Sequence, residues 1–188
     1  EYLSHCHVLD VGLGGVGAYA AEQICRAGIG HMTIVDADTV NDSNINRQLP
    51  ALHSTLGMQK AEVVGQRLLD INPRLKLTIL NEFLRDERTE EVLSAQKYDF
   101  IVDAIDSLSP KAYLLYHAYR REIPIVSSMG AGAKIDPSQV KIADISKTCN
   151  CALAKAVRKR LRGMGLNKGI PVVFSTEIAN PEAVVEVE

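Results

Sequence analysis

The chain has 188 residues, a net charge of −2, 46% hydrophobic residues, 23% charged residues and no tryptophan. Its length suits one domain that buries about 70% of the surface of its unfolded chain. The composition argues against disorder, a coiled coil and a disulfide scaffold, and the charge excludes a globally basic nucleic-acid binder. No apolar run approaches the roughly 20 residues of a membrane span. Four irregularly spaced cysteines are typical of reduced thiols, so we expect a cytoplasmic protein.

Short apolar runs of strand length alternate with segments of helical period. Strands are predicted where such runs stop at glycine, proline or acidic residues, and helices where apolar residues recur at intervals of three and four. The predicted strands are residues 8–11, 31–35, 75–80, 100–102, 125–128, 140–143 and 172–174, and the predicted helices are residues 15–27, 60–71, 109–122 and 152–162. This order predicts an α/β fold, a Rossmann-like and mainly parallel sheet with helices on both faces and a mixed C-terminal extension.

Two of these helices carry boundary signals. Gly28 can cap the end of the first helix, and Ser109 followed by Pro110 marks the start of the third. We interpret residues 1–188 as a single domain. The chain starts almost on its first strand and ends at residues 184–188 without a stop signal, so we expect that pieces of a longer protein are missing at both ends.

A glycine-rich turn lies between the first predicted strand and the first predicted helix. It reads Gly12-Leu13-Gly14-Gly15-Val16-Gly17, and Asp36 follows nineteen positions beyond Gly17, at the end of the next strand. Glycines let backbone N–H groups approach a phosphate at a helix N-terminus, and the acid can accept ribose hydroxyls. The pattern favours nucleotide binding, although a turn that only packs helix on sheet would have the same glycines. Asp10 interrupts the apolar strand and would need a partner that the sequence does not identify.

A polar loop with one arginine follows the second predicted strand. Arg47 in this loop, Lys60 after it and Asp106 at a later strand end are all expected near the glycine turn. Hydride transfer does not require two cations and a second acid at the site. Phosphoryl or nucleotidyl transfer does require them, because the charge on phosphate oxygens must be neutralised by cations and Mg²⁺. The alternative is that Arg47 and Lys60 are solvated surface charges.

These motifs, in this order, resemble the ThiF-type superfamily of ubiquitin-activating-enzyme-like adenylyltransferases over roughly residues 8–135. The motifs are the glycine turn, Asp-x-Asp at 36–38, Ser-Asn-x-Asn-Arg-Gln at 43–48, Gly-x-x-Lys at 57–60 and Asp-Ala-Ile-Asp at 103–106. The resemblance implies that the chain is an adenylation domain, in which a substrate carboxylate attacks the α-phosphate of ATP and forms an acyl-adenylate and pyrophosphate. The implied ATP-binding residues are Gly12, Gly14, Gly15, Gly17, Asp36 (on the ribose), Asp38, and Asn44, Arg47 and Lys60 (on the phosphates). Arg47, Lys60 and Asp106 would be catalytic, with Asp106 on Mg²⁺.

Other stretches are similar to the branch of this superfamily that acts on threonylcarbamoyladenosine in tRNA. They include Ser109-Pro-Lys-Ala, Gly130-Ala-Gly-Ala and Val173-Phe-Ser-Thr-Glu. The resemblance implies that ATP activates the threonyl carboxylate, and that the carbamoyl nitrogen or oxygen then closes a ring with net loss of water. It also implies a homodimer, and it admits a sulfur-transfer protein as a partner. Relatives that activate sulfur carriers usually have two zinc-binding Cys-x-x-Cys pairs, whereas this chain has a single Cys-x-Cys at 149–151, so we expect no zinc.

Six basic residues and no acid lie within residues 155–168. They are Lys155, Arg158, Lys159, Arg160, Arg162 and Lys168. Such a patch could neutralise tRNA phosphates, and we expect RNA contacts from Lys155, Arg158, Lys159 and Arg162. The alternative is the solvated face of a helix whose opposite face is core.

Three other functions stay open on the sequence. The first is adenylation of the C-terminus of a small sulfur-carrier protein of the molybdopterin or thiamine type. The second is a non-catalytic nucleotide-binding partner, and the third is a nicotinamide dehydrogenase, which the glycine turn taken alone would suggest.

Overall fold

The computed structural model describes residues 1–180, so the prediction for residues 184–188 lies outside the described part of the chain. Within residues 1–180, seven strands form one sheet that packs against five α-helices. The strands are β1 (His7–Val11), β2 (His31–Val35), β3 (Lys76–Leu80), β4 (Phe100–Asp103), β5 (Ile125–Ser128), β6 (Val140–Asp144) and β7 (Pro171–Ser175). The helices are α1 (Gly17–Arg26), α2 (Lys60–Ile71), α3 (Asp86–Ala95), α4 (Leu108–Arg120) and α5 (Ala152–Gly163).

The strand order in the sheet is β3-β2-β1-β4-β5-β7-β6. All neighbouring strands are parallel except β6, which runs antiparallel to β7. This confirms the predicted Rossmann-like sheet with a mixed C-terminal extension. The order in which strands are added to the sheet reverses between β1 and β4. Val11 at the end of β1 lies opposite both Val35 of β2 and Asp103 of β4, so these three strands end at the same level. Ligands bind outside the carboxyl ends of strands at such a reversal.

Helices pack on both faces of the sheet. Buried residues of α1 and α2 form one core with β2 and part of β1, and buried residues of α3, α4 and α5 form the other core. Helix α2 has the predicted bounds, because Ala61, Val64 and Leu68 recur at helical spacing and are all buried. Gly28 follows α1 at φ +91°, the left-handed conformation expected after a helix end.

Two helices differ from the prediction. Helix α3 was not predicted, because most of its residues are polar and only Thr89, Val92 and Leu93 are buried. Helix α4 begins at Leu108 with Ser107 as the preceding residue, so the predicted N-cap at Ser109 is wrong. Pro110 lies in the first turn, where the backbone N–H groups have no partner within the helix and proline is therefore tolerated.

One half of one sheet face has no helix over it in the described residues. The register places apolar side chains from four neighbouring strands on this face, with Val102 beside Val126 and Val173 beside Ile142. Val126 and Val173 are half-buried, and Ile142 is 77% exposed. Phe100, Val126, Val173 and Ile142 together form the surface that we call the bare face. No helix of residues 1–180 is long and apolar enough to cross a bilayer.

Asp10 is the penultimate residue of β1, lies opposite Ile34 and Val102, and is fully buried. Neither of its carboxyl oxygens has a hydrogen-bond partner among residues 1–180. Burial, and then the charges of Asp103 and Asp36, raise the pKa of the Asp10 carboxyl well above its ordinary value. The neutral form of Asp10 is therefore favoured, because burying a neutral carboxyl group costs less free energy than burying a carboxylate.

Candidate active site

A cleft opens at the carboxyl ends of β1 to β4, at the strand reversal. It encloses about 600 Å³ of space, including the part that is open to solvent. The residues after β3 and β4 contribute apolar side chains, including Leu84, Ile105 and Pro110. Six of the residues singled out in the sequence line the cleft: Gly12, Gly14, Asp36, Asp38, Lys60 and Asp106.

The glycine turn packs directly against the loop after β4. Gly12 has φ +93°, and a Cβ atom there would lie 2.7 Å from the carbonyl oxygen of Ala104. A Cβ atom on Gly17 would overlap the carbonyl oxygen of Gly12. Both positions therefore require glycine for close backbone approach. Gly14 and Gly15 have more room, and they face Gln48 and Arg47.

Asp36 joins the glycine turn to the end of β2. Its two carboxylate oxygens accept hydrogen bonds from the backbone N–H of Leu13 (2.7 Å) and of Asp38 (2.8 Å). Burial raises the pKa of Asp36, while these two hydrogen bonds and then Lys60 oppose the rise. Each carboxylate oxygen can accept more than one hydrogen bond, so Asp36 can still accept from a ribose hydroxyl at the cleft.

Lys60 is the first residue of α2 and is almost completely buried. Its Nζ lies 3.2 Å from Oδ2 of Asp38, whose side chain is half exposed, and its backbone N–H donates to the Asp38 carbonyl at 2.9 Å. An ammonium carries three donors. Lys60 can therefore bind a phosphate oxygen at the cleft while Asp38 fixes its direction.

Arg47 and Asn44 belong to the loop that packs on the glycine turn, and neither residue lines the cleft. Arg47 is exposed, and its guanidinium donates to the carbonyl of Ser43 at 3.0 Å and to Oδ1 of Asn46 at 2.8 Å. Its Cγ lies 3.5 Å from where a Cβ atom of Gly15 would be, so Arg47 covers the turn and does not line the cleft wall. Asn44 is buried and its Oδ1 accepts the backbone N–H of Asn41 at 3.0 Å, which stabilises the loop that carries Arg47. Contact of Asn44 or Arg47 with phosphate stays a prediction.

Asp106 follows β4 and lines the cleft with an exposed carboxylate. It makes no side-chain hydrogen bond or ion pair with another residue of the described chain. Mg²⁺ is typically held by one or two carboxylates together with substrate phosphates and water. The described residues contain no cluster of three or more His, Cys, Asp or Glu that could hold a metal ion alone. Asp106 therefore fits a Mg²⁺ ion that arrives with a nucleotide.

Comparison with known proteins identifies the family of this site. The ThiF family model matches residues 1–180. The chain belongs to the ThiF family. It is 42% identical to the tRNA threonylcarbamoyladenosine dehydratase of Bacillus subtilis over 177 residues, which are 94% of this chain and 69% of that protein.

Other ThiF relatives support the same placement. The crystal structure of the Escherichia coli tRNA N6-threonylcarbamoyladenosine dehydratase in complex with ATP superposes with a TM-score of 0.90 at 38% identity, covering 95% of this chain and 76% of that one. The molybdopterin-synthase adenylyltransferase of Escherichia coli is 32% identical over 72% of this chain and 53% of its own length. The chain therefore resembles the tRNA branch of the ThiF family more than the sulfur-carrier branch.

Sequence reasoning missed two residues of this ThiF-family cleft. Gln48 lines the cleft beside Gly14, and its buried Oε1 has no hydrogen-bond partner in residues 1–180. The position next to Arg47 in the Arg-Gln motif was the available signal. Phe83 lines the cleft after β3 and is 56% exposed, with the Arg85 guanidinium 5.1 Å from its ring centre. An exposed aromatic ring at a cleft suits stacking with a nucleobase.

Five of the six residues of the predicted basic patch lie on α5, and the sixth, Lys168, lies after the end of this helix. Lys155, Lys159 and Arg162 are exposed, while Val157 on the opposite side is buried, so the helix has both a basic face and a core face. Arg158 differs, because it is half-buried and its guanidinium donates to the carbonyl oxygen of Thr148 at 3.0 Å and to the Thr148 hydroxyl. Arg158 therefore stabilises the start of α5, and a contact with RNA is less accessible to it than to the other three.

Proposed function

We propose that this chain is an ATP-dependent adenylating enzyme that activates the carboxylate of threonylcarbamoyladenosine in tRNA and closes it to a cyclic product with net loss of water. The observation that carries this proposal is the convergence of the glycine turn, Asp36, Lys60 and Asp106 on one cleft. The similarity to dehydratases of that name supports the choice of substrate. A tRNA substrate also supports a cytoplasmic location, which cell fractionation would check.

The cleft suits ATP in three parts. The apolar residues after β3 and β4, with Phe83, suit the adenine, and Asp36 suits the ribose. The N-terminus of α1, which follows the glycine turn, has unpaired backbone N–H groups and a partial positive charge that stabilise phosphate. Lys60 and Arg47 add two cations next to this turn. A Mg²⁺ ion at Asp106 would neutralise further phosphate charge when bound.

The chemistry needs no nucleophile from the protein. A carboxylate oxygen of the substrate attacks the α-phosphorus of ATP, the bond from that phosphorus to the pyrophosphate oxygen breaks, and pyrophosphate leaves. The carbamoyl nitrogen or oxygen then attacks the activated acyl carbon, a carbamoyl N–H proton is lost to solvent, and AMP leaves with the former carboxylate oxygen. Lys60 and Arg47 stabilise the charge that develops on the phosphate oxygens. Relative to the neutral carboxylic acid, the product has lost this oxygen, the carboxyl proton and one carbamoyl proton, which together make one water.

The test uses the protein with tRNA that carries the linear modification, ATP and Mg²⁺. The nucleosides released by digestion are analysed by mass spectrometry, and the mass of the product is expected to be lower than that of the substrate by one water. Arg47→Ala and Asp106→Ala are expected to slow the reaction at least about tenfold, because each removes a group that stabilises developing charge. The exposed Arg74 and Asp70 provide the matched controls Arg74→Ala and Asp70→Ala, which should retain the parent rate.

A folded parent protein that binds ATP but gives no mass loss would exclude the tRNA reaction. The alternative substrate, the C-terminus of a small sulfur-carrier protein, is tested in the same preparation. Exchange of pyrophosphate into ATP that is stimulated by such a carrier, and not by tRNA, would favour the alternative. A sulfur-transfer protein as partner stays a prediction.

We further propose that the exposed basic face of α5 binds tRNA phosphates. The triple variant Lys155→Gln/Lys159→Gln/Arg162→Gln is expected to weaken tRNA binding about tenfold near 0.1 M salt, and to reduce the slope of log affinity against log salt by about 2. ATP affinity should not change. Binding is measured by fluorescence anisotropy with labelled tRNA, against a Lys97→Gln/Lys141→Gln control on other exposed lysines. An unchanged salt slope in the triple variant would assign these residues to an ordinary solvated helix face.

The bare face supports a homodimer. An exposed apolar surface of this kind marks an interaction site more often than a free surface. The strands beneath it already belong to the sheet, so a second copy could bury their side chains without refolding. Sedimentation of the intact chain at micromolar concentration is expected to show a dimer, and a monomer at every concentration would contradict this.

A further inference from the structure

Lys111 is a lysine with no exposed surface, and the cleft chemistry does not use it. Its Nζ lies 2.8 Å from Oδ2 of Asp103, and both side chains are fully buried. Ser127 on β5 donates its hydroxyl proton to the same Oδ2 at 2.5 Å. Helix α4, strand β4 and strand β5 are thus joined behind the cleft by one charged network, which we call the Lys111 network.

The Lys111 network holds both backbone polar groups of one residue, Ile105, in the loop after β4. Lys111 Nζ donates to the carbonyl of Ile105 at 2.7 Å, and Oδ1 of Asp103 accepts the N–H of Ile105 at 3.0 Å. The preceding residue, Ala104, donates its N–H to the carbonyl of Val11 and packs against the glycine turn. The backbone immediately before Asp106 is therefore fixed at three points, whereas the Asp106 side chain faces the cleft.

Stability alone is a weak reason for this arrangement. Burying two opposite charges costs desolvation energy, and apolar pairs of similar size are often as stable or more stable. A buried lysine does offer geometry, because it can link a carboxylate to a backbone carbonyl in a fixed direction. Its second acceptor here is Ile105, which lines the cleft next to Asp106.

We propose that the Lys111 network fixes the direction of Asp106, which makes Lys111 a positioning residue for the Mg²⁺-nucleotide complex. This inference rests on the proposed function, because it needs Asp106 to bind Mg²⁺ there. Supporting partners of metal ligands are commonly worth about 10- to 100-fold in metal affinity.

The principal variant is Lys111→Met/Asp103→Asn, which removes both charges together and leaves neither ion unpaired. Lys111→Met alone would strand a buried carboxylate and could unfold the protein. Ser127→Ala is a second, milder variant that removes one hydrogen bond to Asp103. Lys141→Met, at an exposed lysine of β6, is the matched control for loss of a positive charge.

ATP affinity is measured by calorimetry in EDTA and at increasing Mg²⁺, and amide hydrogen exchange of residues 105–107 is measured without nucleotide. In the double variant we expect ATP affinity in EDTA within about twofold of the parent, a Mg²⁺ midpoint raised at least about tenfold, and loop exchange accelerated at least about tenfold. In Ser127→Ala we expect the Mg²⁺ midpoint and the exchange rate of the loop each to rise about threefold, because only one hydrogen bond is lost. The control should match the parent.

A folded double variant with the parent's Mg²⁺ midpoint and loop exchange would overturn the inference and leave the proposed function intact. If the double variant does not fold, Ser127→Ala decides in the same way. A parent protein that binds ATP without any dependence on Mg²⁺ would remove the role given to Asp106 under the proposed function, and the positioning inference would fail with it.

Discussion

Gly17→Ala is expected to abolish ATP binding and to lower the free energy of unfolding by more than about 3 kcal/mol. The added methyl group would overlap the carbonyl oxygen of Gly12, which is backbone and cannot rotate away. It would also lie 3.0 Å from the Cβ of Ala104, in the loop that leads to Asp106. Relief of both contacts requires α1 to move away from the glycine turn, and that movement would open the phosphate site.

Gly14→Ala is the matched control in the same turn. The nearest atom to its methyl group would be Nε2 of Gln48 at 3.6 Å, an ordinary van der Waals distance. We expect its free energy of unfolding within about 1 kcal/mol of the parent, although ATP affinity should fall because the methyl group narrows the cleft. Urea unfolding and calorimetric ATP titration of both variants separate the two effects. Equal stability of Gly17→Ala and the parent would show that the turn is less tightly packed than the structure indicates.

Asp10→Val is expected to stabilise the protein by about 2 kcal/mol or more near pH 8, which is the scale for burying an uncompensated polar group. Valine suits a fully buried parallel strand and leaves no polar atom without a partner. Asp10→Asn is the companion variant, because it keeps the shape and polarity of the side chain but cannot ionise.

The Asp10 effect should depend on pH in a defined direction. The pKa of Asp10 is raised in the folded protein, whereas an unfolded aspartate titrates near pH 3.9. Its contribution to stability is therefore fully present below about pH 4 and is lost progressively as the pH rises towards the folded-state value. The advantage of Asp10→Val should grow between pH 5 and pH 9 in urea unfolding. An advantage that does not change over this range would mean that Asp10 is already ionised in the folded protein, with a partner that pairs its charge.

The sequence predicts best those parts of the molecule that depend on neighbours along the chain. Helix α2 has its predicted bounds because one apolar stripe and Pro73 define it locally. Helix α3 could not be predicted in this way, because only a short stripe of its surface is buried and its many acidic residues are equally typical of an exposed loop. The start of α4 is displaced because proline is compatible with several positions of a first turn.

The functional residues divide in the same way. Asp36 and Asp106 come together because both follow parallel strands, which the alternating pattern already implies. Roles that depend on distant partners could not be predicted. Arg158 is held by Thr148, and Lys111 is held by Asp103 across helix and sheet. Nothing in the linear order of residues distinguishes these two cations from solvated ones.

The uneven cover of the sheet has a thermodynamic consequence. If a second copy buries the bare face, as we propose, folding is linked to association, and mass action then makes the unfolding midpoint rise with protein concentration. For such a dimer, an unfolding midpoint would have meaning only at a stated protein concentration. Variants far from the bare face should therefore be compared with the parent at equal concentration, since dilution alone would resemble a destabilising substitution.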